Sequence, residues 1–244
     1  MATYLLVHGA WHGGWCWRRI VPLLEANGHR AIAPDLPGHG EDRTPLPDVT
    51  LAGYAGRICA IAHAQPEPVI LVGHSMGGIA ITQAAENCAE RIRTLVYVTA
   101  FLPRNGESLV TCALQDRDSI VTPTTLEPHA DGAIGFKLEH VREAFYGNCS
   151  DGDFEFARAH LAAQAGAPFG SPVETSAARW GRIPRYYIEC ERDRAITLKR
   201  QQEMQSHSPC QETFSIDTDH SPFFSAPEQL VGILLRIARA SIPD

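Results

Sequence analysis

The chain has 244 residues, of which 44% are hydrophobic and 20% are charged, a balance typical of a soluble globular protein. Its formal net charge is −7 and no segment is rich in lysine and arginine, which argues against nucleic acid or a membrane surface as a partner. No apolar run reaches the roughly 20 residues that span a bilayer, and the first residues lack the pattern of a secretory signal.

Short apolar segments alternate with amphipathic ones along most of the chain. Many of the apolar segments are β-branched or aromatic and end at Gly, Pro or polar residues, as buried parallel strands do. Between them, apolar residues recur at helical spacing within 17–24, 51–58 and 230–237, so each of these segments presents one stripe to a sheet. This order predicts an α/β fold with about six mainly parallel strands and helices on both faces. The predicted strands cover residues 3–7, 30–33, 69–72, 94–98, 185–190 and 212–216.

The segment 101–180 interrupts this alternation. It contains no clear buried strand, but two helical patterns are present, at about 137–146 and 151–164. We expect a helical cap over the C-terminal edge of the sheet, where open α/β sheets bind ligands. The predicted organisation is one domain, with a core formed by 1–100 and 181–244 and a cap formed by 101–180.

The motif that points to chemistry is Gly-His-Ser-Met-Gly-Gly at 73–78, directly after a predicted strand and before a predicted helix. This is the context of a nucleophile elbow, in which a serine sits on a tight strand-to-helix turn. Small neighbours let the strand and helix approach closely, and the free N–H groups of the new helix face the reacting carbonyl. We therefore predict that Ser75 is a nucleophile.

A serine hydroxyl needs a base, and the best candidate is His220, in the loop after the last predicted strand. The orienting acid is predicted to be Asp193, which follows the penultimate strand. In folds that present the nucleophile on such an elbow, the three residues follow in the order Ser, acid, His along the chain. Several carboxylates near these two residues are alternatives. They are Glu189, Glu191, Asp217 and Asp219.

An oxyanion hole needs two N–H donors. One is predicted at Met76, the residue after the nucleophile, and the other at Ala10 in the glycine-rich turn after the first strand, with Gly9 and Trp11 as alternatives. This turn lacks a nucleotide-binding fingerprint. His8 and His12 are four residues apart, but they lie in a loop without a metal-binding motif, so we expect no metal and no cofactor.

Six segments carry a family resemblance, three motifs at 8–17, 33–40 and 73–78 and three later segments at 142–147, 167–172 and 183–189. They resemble one branch of the α/β hydrolases, which comprises the hydroxynitrile lyases and the plant methylesterases. Within that branch, the later segments are most similar to bacterial pyrethroid-hydrolase-type carboxylesterases. The resemblance implies the triad Ser75, Asp193 and His220, and an oxyanion hole at Ala10 and Met76.

Two departures from that branch separate the possible functions. Hydroxynitrile lyases of this kind carry threonine in place of Gly9 and lysine in place of Ser221, and plant methylesterases commonly carry methionine at the latter position. We therefore expect a carboxylesterase for small to medium esters. A hydroxynitrile lyase using the same triad, and a non-catalytic small-molecule binder, are the alternatives.

The sequence indicates the partners less sharply than the reaction. The expected partner is a small-molecule ester substrate. A homodimer is compatible with the sequence, which does not determine the oligomeric state. Seven scattered cysteines without a Cys-x-x-Cys pair predict reduced thiols in a cytoplasmic protein. Several residues are predicted to line the substrate site, although core packing is the alternative for Trp11 and the phenylalanines. They are Trp11, His12, His74, Phe101, Phe136, Phe145, Phe169 and Ser221.

Overall fold

A computed structural model of the chain describes residues 1–241. The two segment types alternate as predicted, and three of the six predicted strands have the predicted bounds. The strands are, in chain order, β1 Thr3–Val7, β2 Arg30–Ile32, β3 Val69–Ser75, β4 Ile92–Ala100, β5 Leu126–Pro128, β6 Ala133–Phe136, β7 Gln164–Ala165, β8 Arg185–Cys190 and β9 Glu212–Ile216. The α-helices are α1 Ile20–Ala26, α2 Leu51–His63, α3 Gly77–Asn87, α4 Leu109–Ala113, α5 Leu138–Phe145, α6 Asp151–His160, α7 Ala167–Gly170, α8 Leu198–His207, α9 Pro222–Ser225 and α10 Pro227–Ser241.

The main sheet has six strands in the order β2-β1-β3-β4-β8-β9, and every neighbouring pair is parallel. The α/β fold with about six mainly parallel strands, predicted from the alternation, is therefore confirmed. Because β3 and β4 lie at the centre, their side chains are almost all buried. Their carboxyl ends, together with that of β8, form the edge at which the predicted nucleophile and acid follow their strands.

The helices bury the apolar faces that were predicted from the spacing of their apolar residues. In α2, Tyr54 and Ile58 are fully buried, and in α10 the same holds for Leu230 and Leu234. Pro227 begins α10, where its missing N–H costs no hydrogen bond. Among the helices of residues 1–241, none is long and apolar enough to cross a membrane.

The segment 101–180 contains strands that the sequence analysis missed. β5, β6 and β7 form a small antiparallel sheet. These strands have only two to four residues, too few for an alternating pattern to be recognised. The predicted helix at 151–164 is also too long, because α6 ends at His160 and the chain then pairs with β6.

The prediction that all seven cysteines are reduced thiols is wrong for two of them. Cys59 on α2 and Cys88 at the end of α3 form a disulfide. The two helices pack side by side, which brings residues 29 positions apart into bonding distance. Spacing alone does not reveal such a pair. The other five cysteines are free, and four of these are buried.

Candidate active site

Ser75 is the last residue of β3, at the tight turn into α3, and its backbone φ is 53°. A positive φ is uncommon for a residue with a side chain and indicates a strained turn of the kind that nucleophile elbows use. Close approach explains the glycines that follow. A Cβ at Gly77 would lie 2.8 Å from the carbonyl oxygen of His8, and one at Gly78 would lie 2.0 Å from that of Phe101.

His220 is buried and pairs with Asp193, with its Nδ1 lying 2.6 Å from Oδ2 of the carboxylate. The carbonyl oxygen of His220 accepts a hydrogen bond of 2.7 Å from Nε2 of His74, and the two rings lie 4.6 Å apart. Since His74 precedes Ser75, this bond ties the loop of His220 to the turn of Ser75. The structure therefore pairs His220 with Asp193 and places the loop of His220 against the residue that precedes Ser75.

The carboxylate of Asp193 is fully used as an acceptor. Its Oδ1 accepts from the backbone N–H groups of Ala195 and Ile196, at 2.7 and 2.9 Å, and its Oδ2 accepts from His220 and from the hydroxyl of Thr99. Four donors therefore fix the orientation of this buried carboxylate. Thr99 has a φ of 35° at the end of β4, and no sequence motif indicates it.

The four alternative acids are Glu189, Glu191, Asp217 and Asp219. Asp219 accepts bonds from the N–H groups of Asn148 and Ser221, so it joins the segment 101–180 to the loop of His220. Asp217 is exposed and forms an ion pair with Arg192. Glu189 accepts from the hydroxyl of Ser215, and Glu191 is exposed. Only Asp193, among these carboxylates, bonds to the imidazole of His220.

The predicted oxyanion-hole residues, Ala10 and Met76, lie beside Ser75 on the wall of one cavity. Neither backbone N–H donates to another residue within 1–241. The peptide of Ala10 is oriented by His8, whose Nε2 accepts from the N–H of Leu36 and whose Nδ1 therefore donates to the carbonyl of Gly9, at 2.8 Å. Because N–H and C=O point oppositely in a trans peptide, this bond directs the N–H of Ala10 away from His8.

The buried side chain of His12 supports the turn that contains Ala10. Its Nδ1 donates to the carbonyl of Ala10 at 2.7 Å, and its Nε2 accepts from the hydroxyl of Tyr146 at 2.5 Å. Burial lowers the pKa of His12 to about 3, so the ring stays neutral at physiological pH. Burial also lowers the pKa of His39, which donates to the carbonyl of His12, to about 4. Both rings are structural supports of the loop.

The cavity beside Ser75 has a volume of about 200 Å³ and mostly apolar walls. Four of the aromatic residues predicted to line the substrate site do line this cavity. They are Trp11, Phe101, Phe145 and Phe169. Its remaining walls come largely from α4 and the segment that follows. They include Leu109, Val110, Ala113, Leu114, Val121 and Leu126.

Four predicted substrate-site residues do not line this cavity, contrary to the sequence analysis. His12 and His74 are buried beneath the turns that they support, because both bond to backbone carbonyls. Ser221 is fully buried behind His220. Phe136 lines a second cavity, of which Trp11 is also a wall.

The sequence profile described as "Alpha/beta hydrolase family" matches residues 4–233 of the chain. The chain belongs to this family. This alpha/beta hydrolase is 34% identical to a pyrethroid hydrolase of Sphingobium wenxiniae, over 97% of this chain and 87% of the relative. It is 33% identical to methylesterase 7 of Arabidopsis thaliana, over 96% and 95% of the two chains. A solved pyrethroid hydrolase structure superposes with a TM-score of 0.89 at 31% identity, over 98% of each chain.

One segment of this alpha/beta hydrolase contributes both to the cavity and to the setting of the acid. Asp116 accepts from the N–H and the hydroxyl of Thr197, at 2.8 and 2.7 Å, and the hydroxyl of Ser119 donates to the carbonyl of Ala195. Asp116 and Ser119 also line the cavity. The loop whose N–H groups hold Asp193 is therefore hydrogen-bonded to residues in a wall of this cavity.

Proposed function

We propose that this alpha/beta hydrolase is a serine carboxylesterase, with Ser75 as nucleophile, His220 as base and Asp193 as orienting acid. The observation that carries the proposal is the buried Asp193–His220 pair, hydrogen-bonded through His74 to the strained turn that presents Ser75 to a cavity. The methylesterase and pyrethroid hydrolase relatives support ester hydrolysis as the reaction.

The geometry supports a two-step reaction. Because Nδ1 of His220 donates to Asp193, Nε2 is free to accept the hydroxyl proton as Ser75 attacks the ester carbonyl. The N–H groups of Ala10 and Met76 stabilise the resulting oxyanion. His220 then returns the proton to the leaving alcohol, and a water activated by the same base hydrolyses the acyl-enzyme. No added cofactor takes part in these steps.

The walls of the cavity favour an uncharged ester of small to medium size. Its lining residues include no lysine, arginine or histidine within 1–241, and the titratable side chain among them is Asp116. A carboxylate on the substrate would lose its hydration there without gaining a cation. We therefore propose that the natural ester carries apolar groups on the acyl side, the alcohol side or both.

The lyase alternative requires groups that the site does not supply. Cyanide leaves as an anion, and a lysine after the catalytic histidine would stabilise it, whereas Ser221 is neutral and fully buried. A threonine in place of Gly9 would bring its Cβ to 2.8 Å from that of Ser75, so the nucleophile would have to move. The arrangement therefore favours the esterase.

The test compares two substrates on one preparation. We expect the wild-type protein to hydrolyse p-nitrophenyl butyrate and to release no cyanide from mandelonitrile above background. Ser75→Ala should lower the ester rate by about 10⁴-fold or more while keeping the unfolding midpoint, because triad residues act as a unit. Cyanide release with negligible ester turnover would support the lyase, and binding of the ester without turnover would support the binder.

We propose that the enzyme is located in the cytoplasm. For its oligomeric state we propose a homodimer, which sedimentation velocity would test. The Cys59–Cys88 disulfide is unusual for that compartment. Thiol labelling of the denatured protein, taken directly from cells, shows whether Cys59 and Cys88 are reduced or form the disulfide there. Seven reactive thiols would indicate a reduced cytoplasmic protein, and five would indicate an oxidising environment.

A further inference from the structure

A second cavity of about 200 Å³ lies next to the catalytic one, and the two share Trp11 and Phe145 as walls. The second cavity has mainly apolar walls and extends towards β5, β6 and the end of α6. It contains neither Ser75 nor the oxyanion-hole residues. Its other lining residues are Glu127, His129, Gly135, Phe136, Leu138, Val141, Leu161, Ala162 and Ala163.

Trp11 lines both cavities, and hydrogen bonds and aromatic packing hold it in place. Its Nε1–H donates to the carbonyl of Ile134 at 2.8 Å, and its own carbonyl accepts from the N–H of Ala162 at 3.0 Å. Its ring packs against Phe136 and Phe145, with centroids 5.4 and 5.7 Å away. The side chain is only 7% exposed, so it cannot turn out into solvent without breaking these contacts.

The backbone of Trp11 shows that this position is under constraint. Its φ is 62°, in the left-handed region that a bulky residue rarely adopts. Such a conformation persists only where the surroundings determine it, and strained residues of this kind cluster at ligand-binding positions. Trp11 also follows Ala10 directly, so its ring stands next to the predicted oxyanion hole.

We propose that Trp11 is a fixed partition that sets the length of the ester group accepted beside Ser75, and that the second cavity is a latent apolar subsite behind it. This proposal rests on the esterase function proposed above. With the indole in place, a group that fills the catalytic cavity meets a wall. Without it, the two cavities join, and a longer alkyl chain can enter the second one.

The first experiment measures kcat/KM for p-nitrophenyl butyrate and p-nitrophenyl octanoate. The variant is Trp11→Gly, because glycine keeps the left-handed backbone without strain. Burial of one methylene raises kcat/KM roughly fourfold. Octanoate has four more methylenes than butyrate, so the total effect can be large. We expect the octanoate-to-butyrate ratio to rise at least about tenfold over the wild-type ratio.

Three further variants separate the partition from other effects of Trp11. Phe145→Ala removes the other shared wall, so it should raise the ratio too, even if Trp11→Gly fails to fold. Phe136→Ala enlarges only the second cavity, and Trp11→Phe keeps a wall but loses the bond to Ile134. Both should keep the wild-type ratio. A ratio unchanged in both Trp11→Gly and Phe145→Ala would overturn the proposal.

A binding measurement makes the proposal independent of turnover. Titration calorimetry with hexan-1-ol and decan-1-ol compares affinities in wild-type protein and Trp11→Gly. The preference for decan-1-ol should rise at least about tenfold in the variant, for the same four methylenes. If no ester is hydrolysed but this preference rises, the esterase function fails and the partition stands. If esters are hydrolysed and the preference is unchanged, the partition fails.

Discussion

Replacement of Asp193 by asparagine should trap His220 in an unproductive tautomer. The N–H groups of Ala195 and Ile196 both donate to Oδ1, so an amide at this position must place its oxygen there. Its NH₂ group then occupies the site of Oδ2 and donates to Nδ1 of His220. The imidazole proton is forced onto Nε2, which can no longer accept the proton of Ser75.

The expected loss in kcat is about 10⁴-fold, which corresponds to about 5 kcal/mol of activation free energy. Stability should change much less than activity, because the asparagine oxygen keeps both backbone bonds of the original carboxylate. The assay measures kcat for p-nitrophenyl butyrate together with a urea unfolding curve for the same preparation.

Asp219→Asn is the matched control, since Asp219 is a buried carboxylate one residue before His220. Its two oxygens accept from donors on opposite sides, so an amide there must face at least one donor. This should cost about 1–3 kcal/mol of unfolding free energy and reduce kcat far less than Asp193→Asn does. The assignment of Asp193 fails if its asparagine variant keeps kcat within about tenfold of the wild type, or if both variants lose kcat equally.

Three further predictions follow from the surroundings of the site. Gly9→Thr should lower ester turnover on the order of 100-fold, because its Cβ would displace Ser75, and should not create cyanide release; unchanged ester kinetics would contradict this. The folded-state pKa values of His12 and His39, about 3 and about 4, lie below the unfolded value of 6.5, so the unfolded chain binds more protons between these limits. Their contribution to stability is therefore present above pH 6.5 and falls as the pH drops towards 4, by about 2 kcal/mol per histidine at pH 5; equal urea midpoints at pH 7 and pH 5 would argue against it. Incubation with EDTA should leave ester turnover unchanged, because proton transfer and backbone N–H donors suffice for the reaction; a loss of activity that zinc restores would refute this.

Local patterns in the sequence determine the main sheet and its flanking helices. The strands of the core are apolar because both faces of the sheet are covered, so their composition alone marks them. The setting of Ser75 is equally local, since a strand, a tight glycine-rich turn and a helix follow one another within 69–87. These features could be predicted because neighbouring residues determine them.

Tertiary structure alone decided the contacts between distant segments. Thr99 reaches Asp193 across 94 residues, and Cys59 reaches Cys88 across two helices. The small sheet of β5, β6 and β7 forms by pairing of strands too short to show a periodic pattern. Trp11 lines two cavities because the segment 101–180 folds against it and Ile134 bonds its indole. Hydrogen bonds and packing of this kind depend on the distance between side chains, which the order of residues along one strand or helix does not specify.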